Sequence, residues 1–157
     1  MDAGTIAAGA GVSTAVIALG AAILVVWQVT EMRRAAYASA FKVVHDLLQT
    51  EEIRQDRRFV MANLRDQPFA VWSDDAKIRA ERVCASYDSV GIMCRMRLIP
   101  LEVVVDPWGD SIRKCWNVLR PLVESYRQER GVPGHWGDFQ RLAGRANELH
   151  GQQQQAV

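Results

Sequence analysis

The chain has 157 residues and a formal net charge of +1. That balance excludes the strongly basic face of a nucleic-acid binder, and the length leaves room for a terminal segment and one domain. Three cysteines, Cys84, Cys94 and Cys115, match no zinc-ligand spacing and are expected to be small buried side chains in a reducing compartment.

Thr5 to Val29 is a run of 25 residues without a charge. As a helix rising about 1.5 Å per residue it reaches about 37 Å, against about 30 Å for a hydrocarbon core. A secretory signal carries positive charge ahead of a shorter apolar stretch, whereas here only Asp2 precedes the run. "AYASA" at Ala36 to Ala40 mimics a cleavage site, but Arg33 and Arg34 stand between it and the run. The expectation is a retained single-pass transmembrane helix over residues 5–29. It leaves residues 1–4 outside, a cytoplasmic helical domain over 30–149 and a polar tail over 150–157. No Lys or Arg precedes the run and Arg33, Arg34 and Lys42 follow it. The positive-inside rule then puts the N-terminus out and the domain on the cytoplasmic side of an inner membrane, with Trp27 at the interface.

From the residue just before the run into its second half, Gly4, Ala8, Gly11, Ala15, Ala18 and Ala22 recur at alternating steps of four and three. Small residues at that spacing let helix backbones approach closely, which predicts a packing face for a protein partner or a second copy. Thirteen of the 25 residues are Ala, Gly, Ser or Thr, so chance alone also makes some face small.

Beyond the run the apolar period is helical throughout, and the fold class expected is all-α. Ala36, Ala40, Val43, Val44, Leu47 and Leu48 carry the first helix to about Gln49. Thr50 caps a second helix, with Glu51 and Glu52 in its first turn and Ile53, Phe59, Val60 and Leu64 as its apolar positions. Arg54, Arg57 and Arg58 lie between them, with Arg65 beyond. This arginine group either contacts lipid headgroups or a partner's acidic patch, as Arg33 and Arg34 also do, or pairs internally with Glu51, Glu52, Asp56, Asp88 or Asp110.

Pro68 breaks the pattern, and Ser73 caps a third helix reaching about Leu98, with Ile78, Val83, Tyr87, Val90, Cys94 and Leu98 as its stripe. "LEVVVD" between Pro100 and Pro107 fits a strand or a short helix. Asp106 and Pro107 are expected to open the fourth helix, Pro121 to kink it and Gly131 to end it. Its face is Trp108, Ile112, Trp116, Leu119, Leu122, Val123 and Tyr126. A last helix near His135 presents Trp136, Phe139, Leu142, Ala143, Ala146 and Leu149, and "GQQQQAV" follows as a fraying tail. Trp72, Trp108, Trp116 and Trp136 are expected in the core, or left as an apolar patch for a partner.

Chemistry is hard to find. No phosphate-binding loop, dinucleotide fingerprint, His-Glu-x-x-His or Gly-x-Ser-x-Gly occurs. His45, His135 and His150 fall on different elements, and the paired acids Glu51/Glu52 and Asp74/Asp75 sit where helix starts favour them.

"RQDRRFV" at Arg54, "ERVCASYDSVGIM" at Glu81, "DPWGDSIRKCWNVLRPLV" at Asp106 and "HWGDFQRLA" at His135 together carry a resemblance. They resemble a bacterial family of single-span proteins, the domain-of-unknown-function family numbered four-seven-six-zero, along nearly the whole chain. The shared elements are an Arg-x-x-Arg step, Tyr/Phe-Asp-x-Val-Gly, Trp-x-x-Leu-x-Pro and a late aromatic-Trp-x-x-Phe, where His135 stands in the aromatic position. The resemblance implies an anchor and a helical domain, and brings no activity, cofactor or catalytic residue.

The expected function is therefore a non-enzymatic, membrane-anchored helical protein that packs against or scaffolds a membrane complex as an accessory subunit. Its partners would be lipid and a protein or a second copy, with no cofactor, metal, nucleic acid or small-molecule substrate. A regulatory or defence-type sensor working through the helical domain is the alternative. A membrane enzyme of unrecognised type is a third.

Overall fold

The computed structural model describes the backbone of residues 3–155 and the side chains of residues 20–151. Among the described residues there are five α-helices and no strand: α1 Ala3–Leu48, α2 Glu51–Phe59, α3 Asp74–Arg95, α4 Leu101–Arg130 and α5 Gly137–Gln155. A π-helical turn, Val60–Leu64, continues α2, and a short 3-10 turn, Phe69–Val71, precedes α3. The chain divides into two compact units, Met1–Ala38 and Ser39–Val157.

The first unit holds most of α1. Among the described residues no helix is long and apolar enough to cross a membrane, which overturns the expectation of a single transmembrane helix. The described part of the uncharged run extends from Gly20 to Thr30 before Glu31, Arg33 and Arg34 interrupt it. The remainder of the run lies outside the residues whose side chains are described.

In the second unit, local chemistry sets most helix boundaries. Thr50 Oγ1 accepts from Ile53 N–H at 3.4 Å and Ser73 Oγ from Ala76 N–H at 3.2 Å, so both predicted caps hold. Gly131 ends α4 in the left-handed region at φ 64°, where a Cβ would be strained. The start of α4 differs from expectation. Pro100, not Asp106, is its N-cap, and the helix takes in "LEVVVD" and runs through both Pro107 and Pro121. Burial explains the continuity: Val104, Val105, Trp108 and Gly109 all face the core, which offsets the hydrogen bond that Pro107 cannot make.

The core gathers Ala40, Val44 and Leu48 from the end of α1 with Val60 and Leu64 of the π turn. From α3 it takes a different stripe than predicted. Ile78 and Leu98 are exposed, and Ala76, Ala80, Cys84 and Gly91 lie inside with Val83, Tyr87 and Val90. Small side chains at Ala76, Ala80, Cys84 and Gly91 let neighbouring helices close on α3, so lack of bulk marks the buried face alongside Val83, Tyr87 and Val90. α5 buries Phe139, Leu142, Ala143 and Ala146 as its period predicts, just after the buried Trp136. Of the tryptophans named from sequence, Trp72 and Trp108 are also buried and Trp116 is half-buried.

Candidate functional site

Burial and exposure divide the chain's apolar side chains sharply. In the first unit every described side chain, from Gly20 to Ala38, is exposed. Ile23, Leu24, Val25, Val26, Trp27, Val29, Met32 and Tyr37 are all between 43% and 71% exposed. Polar contacts here are local: Thr30 Oγ1 donates to the Trp27 carbonyl at 2.7 Å, and Arg34 lies 3.7 Å from Glu31. Gly4, Ala8, Gly11, Ala15 and Ala18 of the predicted seam lie outside the described side chains, and Ala22 is exposed. The three-and-four spacing runs on past Ala22 through Val25, Val29, Met32 and Ala36, with Glu31, Arg33 and Arg34 off that line. Those later positions carry larger side chains, so a search for small residues passes over them.

The second unit contains a plug and a socket. Asp88 Oδ1 in α3 accepts from the N–H groups of Asp138 and Phe139, both at 2.9 Å, and so caps the first turn of α5. Phe139 stacks on Tyr87 and meets Trp116 edge-on, each with ring centroids 5.1 Å apart. Gly91, one turn on from Tyr87, lets the α5 backbone come close: a Cβ there would sit 2.6 Å from the Asp138 carbonyl oxygen. Tyr87 finishes the socket with a 2.8 Å hydrogen bond between its hydroxyl and Ser111 Oγ of α4. At the entrance to α5, Trp136 adopts φ 51° and stacks on Tyr126 at 5.5 Å. Tyr126 in turn hydrogen-bonds Glu81, and burial together with that carboxylate raises its hydroxyl to about 12.

A family model, Domain of unknown function (DUF4760), matches residues 15–146. The chain belongs to this family. No curated relative and no solved structure matches it. In this DUF4760 chain, Tyr87, Asp88 and Gly91 form the socket, and Trp136 and Phe139 form the plug. His135 precedes Trp136 with ring centroids 4.1 Å apart. Its Nε2 is buried with no hydrogen-bond partner, and burial with the nearby Arg130 lowers its pKa.

The arginines named from sequence do not form one patch. Arg54 pairs with Glu51. Arg57 turns inward; its Nη2 donates to Gln49 Oε1 at 3.4 Å, its Nη1 is buried without a partner, and its charge acts on Tyr87 and Cys115. Arg58 is exposed, as are Arg33 and Arg34. The acids weighed as partners mostly go elsewhere. Asp56 is buried and takes Arg82 of α3 at 2.7 and 3.3 Å, Glu52 also meets Arg82, and Asp110 holds Arg113 and Lys114. Sequence reading passed over Arg82 because its partners are 26 and 30 residues away, beyond any helical spacing.

The thiols are poor nucleophiles here. Burial pushes Cys84 well up, and Cys94 and Cys115 to about 11, so all three stay protonated at neutral pH.

Proposed function

We propose that this DUF4760 protein is a non-enzymatic accessory subunit, whose α1 is enclosed by a larger protein assembly while its second unit folds on its own core. One observation carries the reading: from Ala21 to Val29 exposed apolar side chains surround α1, with Gln28 the one polar residue among them. A helix that is apolar on every side belongs inside something. At about 25 cal/mol per Å² of apolar surface, enclosing such a stretch drives association strongly. The Ala22, Val25, Val29, Met32 and Ala36 line gives a charge-free seam for the closest helix contact.

The test is gentle isolation of the tagged full-length chain, with mass and composition of the native particle. A stoichiometric complex that disappears on Val25→Glu with Val29→Glu supports the reading. A monomeric wild-type chain of the same mass as the double variant overturns it. The regulatory-sensor reading draws on a separate observation, a cleft between α3 and α5.

A further inference from the structure

We propose that the cleft between α3 and α5 binds a small monocarboxylate with a short apolar chain. The cleft holds about 230 Å³, and its floor is Gly91, Cys94, Leu101 and Leu142. Arg95, Arg141 and Arg145 stand around it with Asp138 as the acid of its lining, and Glu102 is near enough to act on Cys94. An apolar floor under a few convergent polar groups is the usual form of a small-ligand site. At about 30 Å³ per non-hydrogen atom, the space takes about eight such atoms.

The charge balance favours an anion. Asp138 Oδ1 accepts from Arg95 Nε at 2.9 Å and from Arg141 Nε at 3.2 Å and Nη2 at 2.5 Å. Two guanidinium groups thus share one carboxylate oxygen, which leaves one positive charge over. Burial opposes the charge on Asp138, but the two arginines outweigh it and hold its pKa below the usual value, so the pairing persists at neutral pH. Arg145 is held by Glu148 at 2.6 Å. Arg95 is the group left to receive a ligand. It is more than half exposed and places only its Nε on Asp138, which leaves the paired Nη donors for a carboxylate fork. The chain of such a ligand would lie over Leu101 and Leu142. A bare anion gains nothing from that floor, and a neutral alcohol offers Arg95 neither a charge nor a second oxygen for its fork.

Cys94 offers a direct readout. It lines the cleft half-buried, whereas Cys84 and Cys115 are fully buried, so alkylation of the native full-length chain reports Cys94. The reaction is run at alkaline pH, because burial lifts this thiol to about 11. With hexanoate as the probe, alkylation slows by about tenfold once hexanoate exceeds its Kd about ninefold, as mass action requires. Hexanol and sulfate at equal concentration leave the rate unchanged. Arg95→Gln, at an exposed position, abolishes the protection, and Leu101→Gln weakens it, with circular dichroism confirming the fold of each. No protection by hexanoate overturns the proposal. So does equal protection by sulfate, equal protection by hexanol, or protection that survives Arg95→Gln. None of these outcomes bears on whether α1 is enclosed by other proteins.

Discussion

Within its first unit, from Gly20 to Ala38, α1 leaves every side chain exposed, whereas α5 buries Phe139, Leu142, Ala143 and Ala146. The described stretch of α1 is apolar at nearly every position up to Val29, whereas α5 carries fewer apolar residues and sets them on one side. In α5 the apolar residues recur on one stripe, and Gln140, Arg141, Gly144 and Arg145 fall outside it, exposed. One neighbouring surface, built from α3 and α4, is enough to cover that stripe. In α1 the apolar residues surround the axis from Ala21 to Val29, so no single neighbour covers them. Stability of the second unit should therefore reside in the socket for α5 and the core around it, and residues 20–38 of α1 should contribute to association rather than to folding.

Damage to the plug tests this most severely. Phe139→Ala removes the ring that Tyr87 and Trp116 hold, and should cost about 3–5 kcal/mol in denaturant unfolding of the full chain. Gly91→Ala comes next. Its Cβ would press on the Asp138 backbone, which cannot yield like a side chain, so a loss of about 1–3 kcal/mol is expected by the same measurement. Asp88→Ala leaves the Asp138 and Phe139 N–H groups without their acceptor and should lose about 1–2 kcal/mol.

A smaller effect comes from His135. Its pKa is lowered in the folded chain, so the unfolded chain binds the proton more readily. Stability attached to neutral His135 is complete above about pH 6.5, the unfolded value, and declines as pH falls from there to the lowered folded value. His135→Phe should flatten that part of the stability curve while leaving the acid loss tied to Asp138 at lower pH. The smallest change in folding is expected from Val25→Glu with Val29→Glu: within about 0.5 kcal/mol on the second unit, as for exposed positions generally. A large loss of stability there would erase the contrast between α1 and α5.

The helices themselves were legible because their signals are local. Thr50, Ser73 and Gly131 act on backbone groups within a turn, and the stripe of α5 repeats inside one helix. The socket was half legible: Tyr87, Asp88, Gly91 and Phe139 stand out as family motif residues, but nothing in their spacing says that Asp88 caps a helix 50 residues later. Arg82 with Asp56, and the cleft beside Asp138, gave no local sign at all.

By itself, then, the order of residues determined that the chain is helical, where most helices begin and end, which face α5 buries, and which family the chain belongs to. The tertiary structure alone decided that α3 buries its small side chains, that α4 continues through Pro107, and that Arg54, Arg57 and Arg58 have separate fates. Among the described residues it also holds no helix long and apolar enough to cross a membrane, against the transmembrane helix read from a long uncharged run. Periodicity and capping depend on neighbours three or four residues away. Close packing and ion pairing depend on which distant surfaces meet, and a glycine or an arginine carries no mark of its partner until the helices come together.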